Sequence, residues 1–309
     1  MSNQASYTAG NFELFFDDDD NKTAAYLKTV DGGFVNAALV DESVGAAIHR
    51  VRHTSVASIE PFSVEFGFSG AKKVLAWIQS SWNRSFSRRS GHILHANFNL
   101  NQTFVHNFSD ALITETTFPT LDGASTDAAY LKIKFLPERV DTQNKDTNDS
   151  INDQNIQKSQ KMWLCSGFRL TIDGLPDLAV NKIESFTIKQ GVKAFYSGKD
   201  RFPQIEPTKI EFPNIVGTIA EANADGLQGW YQETVANGKA DTTAFKQGAL
   251  EFLSPDKKTV LYRIVLKDCG MVSFKLLPSV ANSDQIKRAR FEFFVTEMQL
   301  DGSGDLARG

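Results

Sequence analysis

The sequence predicts a mainly β protein: a β-sandwich or barrel with one flanking helix, built twice in tandem. Three observations carry this. Apolar residues recur at every second position through much of the chain, the period of a strand with one buried face. A short segment, and the order of features around it, occurs twice. A polar stretch separates the two occurrences.

The repeat is anchored by Ile59-Glu60-Pro61-Phe62-Ser63-Val64-Glu65-Phe66, which returns as Ile205-Glu206-Pro207-Thr208-Lys209-Ile210-Glu211-Phe212. Further pairs keep the same order. Phe12-Glu13-Leu14 matches Phe168-Arg169-Leu170, and Thr29-Val30-Asp31-Gly32-Gly33 matches Thr187-Ile188-Lys189-Gln190-Gly191. Trp77-Ile78-Gln79 matches Trp230-Tyr231-Gln232, and Leu131 to Phe135 matches Phe291 to Val295. Collinearity is the signature of a duplicated unit of folding. Between the copies, 141–161 contains no aromatic residue and only Ile151 and Ile156 as aliphatics, too little apolar surface to offset the entropy of ordering. The expected organisation is a first β domain over 1–140, a polar linker over 141–161 and a second β domain over 162–309.

Each element has a local reason. In His92 to Gln102, Leu94, Ala96, Phe98 and Leu100 share one strand face, and His95, Asn97, Asn99 and Asn101 the other. Leu131, Ile133 and Phe135 alternate with Lys132 and Lys134. Val260, Tyr262, Ile264 and Leu266 form a face that should turn at Asp268-Cys269-Gly270 into a hairpin ending at Leu277. Phe291 to Leu300 reads as a closing strand with apolar residues on both faces. Helices are expected over Ala71 to Trp82, with Val74, Leu75, Ile78 and Trp82 at helical spacing, and over Gly226 to Ala236, with Leu227, Trp230, Tyr231 and Val235 likewise. Two long connections, Val40 to Ser58 and Val192 to Gln204, mix cationic and apolar residues, a composition suited to docking on a neighbour.

Composition excludes several classes. The 309 residues are 41% hydrophobic and 23% charged, enough for a core in each half. A net charge of −4 argues against nucleic-acid binding as the main task and against sequence-specific recognition. Cys165 and Cys269 form no C-x-x-C pair and read as structural thiols. No apolar run has membrane-spanning length. The first residues, Met1 to Tyr7, carry no charged and apolar regions of a secretion signal. If the chain leaves a cell, it is expected to do so by lysis or inside a larger particle.

Signatures of chemistry are missing. Counted as a calcium loop from Asp17, the run Asp17-Asp18-Asp19-Asp20 puts Lys22 and Lys28 where Gly and Glu are needed. It reads as a solvated turn. His92 and His95 fall on opposite faces of one strand, while extended His49 and His53 lie about 13 Å apart. Neither pair makes a zinc site. Gly67-Phe68-Ser69-Gly70 lacks the nucleophile-elbow spacing and reads as a strand-to-helix turn. No catalytic residue, metal ligand or cofactor is predicted. The leading alternative is a tandem β-sandwich module binding a carbohydrate or receptor, with Trp163 and Trp82 lining its groove. A hydrolase with an unrecognised site is weaker still.

The second half resembles the tail-tube protein family of contractile phage tails and contractile injection systems. The matching order is Phe168 to Leu175, Ile183 to Gly191, Pro207 to Phe212, the helix with Trp230, Val260 to Leu277 with its Asp-x-Gly turn, and Gln285 to Leu300. The first half is similar through its match to the second. The resemblance implies a β-sandwich or barrel whose copies join edge to edge in a ring around a channel, doing no chemistry. It implies self-assembly, as a homotrimeric pseudo-hexamer or a homohexamer, and contact with tube, baseplate hub or cap proteins of one particle. It also implies that the long loops meet the next ring, which singles out His49, Arg50, Arg52 and His53 in the first copy and Phe195, Tyr196, Lys199 and Arg201 in the second. The specific role could be hub, tube initiator, end adaptor or tube subunit.

Overall fold

The computed structural model describes residues 9–17, 22–42, 45, 51–68, 70–144, 163–175, 178–198, 200–239, 241, 244–278, 284 and 286–301. The first half runs β1 (Ala9–Phe16), β2 (Thr23–Asp31), β3 (Val35–Glu42), β4 (Val51–Ile59), β5 (Phe62–Phe66), α1 (Lys72–Trp82), β6 (Arg89–Asn97), β7 (Gln102–Phe118), β8 (Leu121–Asp122), β9 (Leu131–Leu136) and β10 (Arg139–Asn144). The second runs β11 (Phe168–Ile172), β12 (Val180–Ile183), β13 (Phe186–Phe195), β14 (Gln204–Glu211), β15 (Ile215–Ala220), α2 (Asp225–Tyr231), β16 (Lys246–Leu253), β17 (Val260–Leu276) and β18 (Arg288–Asp301).

In the first half the order β7-β6-β1-β2-β5-β9 closes into a six-stranded barrel, because β9 returns to pair with β7. Closure removes the sheet edges. In the second half β17-β16-β11 and β17-β18-β15-β12 follow the same order, and among the described residues Leu170↔Leu178 is the one pairing that links the two ends. The duplication is thus a duplication of topology.

The registers refine the correspondence. Phe135 faces Phe62 on β5, and Phe293 faces Ile215 on β15, so Phe62 corresponds to Ile215. The recurring I-E-P sequence does not mark equivalent places, and two other matches shift: 29–33 corresponds to 182–186 and 131–135 to 289–293. In the first copy it leads into β5, whereas in the second it lies within β14. Trp77 and Trp230 keep the same spacing from Phe62 and Ile215, so the helix match holds.

Four expectations change. The hairpin at Asp268-Cys269-Gly270 is instead one continuous strand, β17, bent where Asp268 has φ 50°. Asp110 in β7 repeats the feature with φ 52°. A left-handed residue lets a long strand change direction without ending. The strand expected over His92 to Gln102 stops at Asn97, whose side-chain Oδ1 accepts bonds from the Asn99 and Asn101 amides and turns the chain. Its core residue is Ile93, not Leu94, and a register shift between His95 and Ala96 brings Ala96 inward. Asp141 to Asn144, expected in the linker, belongs to β10 and pairs with β7. The helix expected over Gly226 to Ala236 widens into a π turn over Gln232–Ala236, which turns Val235 outward and Thr234 inward.

The barrel pattern itself follows from alternation. Leu131, Ile133 and Phe135 are fully buried, with Lys132 and Lys134 outside, where they lie beside Glu65 and Glu115. On β18, Ala289, Phe291, Phe293 and Val295 point to the core. Phe294, on the other face, packs on Phe245 with ring centroids 5.4 Å apart. One contiguous cluster of buried apolar residues runs through both halves.

Candidate functional site

The feature that organises this molecule is the seam between its halves. Residues Phe186 to Lys189 of β13 lie antiparallel to Phe118 to Glu115 of β7, so a strand of the second copy extends the sheet of the first. Below it Leu121 and Asp122 pair with Ile183 and Lys182, adding a first-half strand to the second sheet. The two units are sheet neighbours side by side, and both large sheets take strands from both halves.

Apolar residues explain why the seam is dry. Phe118 stacks on Phe186 and on Phe252, at 4.9 and 5.4 Å between centroids. Phe68, just before α1, meets Trp163, Phe252 and Tyr262 of the other half at 4.3, 5.5 and 5.6 Å. Trp82, at the end of α1, lies near Phe118 and Phe212. Burying rings of this size stabilises by about 1.5–3 kcal/mol each. Trp82 and Trp163 are both 3% exposed and lie packed in the seam rather than displayed as an open aromatic groove.

Polar groups fix the alignment. The Ser81 hydroxyl donates to the Gln190 side-chain carbonyl, and Gln79 Nε2 donates to the Leu300 carbonyl at 3.1 Å. Arg88 holds Glu138 of its own half with one nitrogen at 2.6 Å and reaches across with another to the Ile205 carbonyl at 2.5 Å and Glu206 at 3.3 Å. The Ile205 amide also donates to Glu138. A crevice of about 480 Å³ opens between α1 and β18, lined by Gln79, Trp82, Arg84, Glu297, Gln299 and Asp301 among others. Sequence reasoning missed Gln79, Ser81, Arg88, Glu138 and Gln190 because single polar residues on alternating strands carry no pattern. Only the helical position of Gln79 next to a repeated Trp gave a signal.

The two long connections expected to dock on a neighbour are β-hairpins, β3–β4 and β13–β14. Arg52 and His53 stand on β4, where Arg52 donates to Asp41 at 2.8 Å and His53 lies 3.9 Å from Glu42. Phe195 and Tyr196 are more than half exposed at the end of β13, and Arg201 sits over the ring of Phe202. His49, Arg50 and Lys199 lie outside the described residues, as do Asp18, Asp19, Asp20 and Ser69. Arg52 and His53 are chain neighbours on β4, and Phe195 and Tyr196 are chain neighbours at the end of β13, each pair on its own hairpin.

His92, His95 and His106 pack against aromatic rings. His92 stacks on Phe15, while His95 is edge-on to Phe12 and Phe104 and 5.2 Å from the ring of His106. Burial, then the nearby His106, pushes the His95 imidazole down to about 4. Among the described residues, no three His, Cys, Asp or Glu side chains are grouped to hold a metal ion. No helix among them is long and apolar enough to cross a membrane.

Compared with known proteins, the chain matches no family model and no curated protein. Solved structures do match. Its structural neighbours are tube, cap and baseplate components of contractile injection systems. A chain of the sheath–tube complex of an extracellular contractile injection system, PVC, aligns at 18% identity over 46% of this chain and 95% of its own, with a TM-score of 0.40. A chain of the anti-feeding prophage tube-terminating cap aligns at 15% identity over 47% and 95%, with a TM-score of 0.39. Hcp1 from Flavobacterium johnsoniae aligns at 15% identity over 44% and 95%, with a TM-score of 0.27.

Proposed function

We propose that this protein is a structural, ring-forming component of a phage tail or contractile injection system, and that it does no chemistry. It would line or extend the inner tube channel, and its partners are further copies of itself and the tube, hub or cap proteins of the same particle. The domains are read as 1–140 and 162–309, each one station of the ring. The observation that supports this is the seam: two copies of one topology joined edge to edge through β7 and β13, with a dry aromatic interior. Side-by-side joining within a chain is the relation between neighbours around a ring rather than between stacked rings. Three chains then supply six stations, and closed cyclic assembly satisfies every edge. The hairpins bearing Arg52, His53, Phe195 and Tyr196 are the proposed contacts to the adjoining ring or cap. The duplication suits a specialised ring, a hub, initiator or end adaptor, better than the repeated tube subunit.

Sedimentation equilibrium over a concentration series tests this reading. The expected species is three times the 34.2 kDa chain. A chain that stays monomeric at every concentration, and is not recruited by a tube protein, would overturn it.

A further inference from the structure

The seam has two sides, and each half owns one of each. The first half contributes β7 residues 115–118 and the outer face of α1. The second contributes the start of β13 and the end of β18. Because the halves share a topology, the second half must also carry a β7-like edge and the first half a β13-like strand.

The registers locate both. Thr116 faces Ile133 on β9 as Phe274 faces Phe291 on β18, and Thr117 faces Lys132 as Lys275 faces Arg290. Both ladders slip at the same place, between Ile113 and Glu115 and between Met271 and Ser273. Ser273 to Leu276 is therefore the counterpart of Glu115 to Phe118. Similarly, Val30 faces Val64 as Ile183 faces Gly217, which makes Gly33 to Asn36 the counterpart of Phe186 to Lys189. The hairpins agree, since Asn36 faces Ser58 as Lys189 faces Glu211.

Within the chain these positions are occupied in one case and open in the other. Ile188 is 2% exposed, but its counterpart Val35 is 43% exposed. Phe118 is 1% exposed, but Leu276 is 59% exposed. Past the repeated tryptophan, Trp82 at the end of α1 is 3% exposed, whereas Val235, which the π turn after α2 directs outward, is 41% exposed. Among the described residues, Ser273 to Leu276 pairs with β18 on one edge and with no strand on the other. An unpaired edge flanked by exposed apolar residues is a template for another strand.

We infer that a second copy of this chain docks there, head to tail, with residues 33–36 of one copy pairing antiparallel to residues 276–273 of the next. Phe34 then lies opposite Lys275, as Thr187 lies opposite Thr117 within the chain, and Val35 lies opposite Phe274. Val235 and Gln232 of the second helix cover the neighbour's first half, as Trp82 and Gln79 cover the second half here. The inference rests on the ring reading above and specifies the joint by which that ring is made.

Cysteine cross-linking tests it, because directly opposed residues on paired strands are within disulfide reach. The native Cys165 and Cys269 are buried. The intrachain control is Thr117→Cys with Thr187→Cys, whose hydroxyls are 2.8 Å apart. Under mild oxidant this pair should close within one chain. A mixture of full-length Phe34→Cys and Lys275→Cys chains should convert mostly to a covalent dimer. The double variant should give a ladder ending at three chains. Phe34→Cys mixed with Ser273→Cys, a diagonal pair about 7–8 Å apart, should cross-link far less. If the control closes and sedimentation shows rings, yet Phe34→Cys and Lys275→Cys stay unlinked, the joint is wrong while the ring reading survives. If the chains remain monomeric and unlinked, both fail.

Discussion

Glu13 is a carboxyl almost without water. It is 2% exposed on β1, and Thr23 donates to one oxygen at 3.4 Å. Burial pushes it up from 4.5 to about 7, with the Thr23 bond acting the other way. Between those values the folded chain holds a proton that the unfolded chain releases, so this group makes stability fall as pH rises from 4.5 to 7. Glu13→Gln should remove that slope and be the more stable protein at pH 8, by on the order of 2 kcal/mol. His95 titrates in the opposite sense: its low folded value means stability is lost as pH falls from 6.5 towards 4. It is common to both proteins and cancels in the difference. A difference between wild type and Glu13→Gln that stays constant from pH 5 to 8 in urea melts would contradict this. A second single-residue effect concerns Gly33. It has φ +80°, and an added Cβ would meet the Phe62 ring. Gly33→Ala should cost about 2–4 kcal/mol, whereas Gly67→Ala, with open space around it, should cost little.

At the scale of elements, the paired helices make opposite predictions for corresponding residues. Trp82→Ala leaves a cavity at the seam and should destabilise the chain by about 3–5 kcal/mol. Val235→Glu changes an exposed residue, so the melting of the isolated chain should move by less than about 0.5 kcal/mol, while self-association is lost in sedimentation. Equal effects of both on folding would show that the helices are not used differently. These elements also show what the sequence could reveal. Period-two runs such as Leu131 to Phe135 and the stripe Val74, Leu75, Ile78 and Trp82 were legible because one face is buried and the other wet. The continuity of β17 was not, because Asp-x-Gly reads as a turn wherever it occurs, and only pairing with β18 on both sides of Asp268, with a register shift against β16 beside it, makes it a bulge. The face of β6 was misread because a register shift inverts the alternation after His95. The I-E-P match was a sequence coincidence within a genuine duplication, since registers, not identities, define equivalence. The seam was least legible: Ser81 and Gln190 lie far apart in sequence and belong to no motif.

For the whole molecule, the proposed ring would give a single chain both a completed joint and the two halves of an uncompleted one. Phe34, Val35, Leu276 and Val235 are costly exposures for a monomer and ordinary ones for a ring member. Two stations per chain allow the joints to differ, one permanent within the chain and one formed on assembly, so that a ring can be built from three parts. The central claim is that ring, and negative-stain electron microscopy of the purified chain, with class averages across a concentration series, tests it most directly. The account predicts rings with a central hole and six lobes that alternate in two kinds. Uniform bilobed particles at every concentration, with or without a tube protein present, would contradict it.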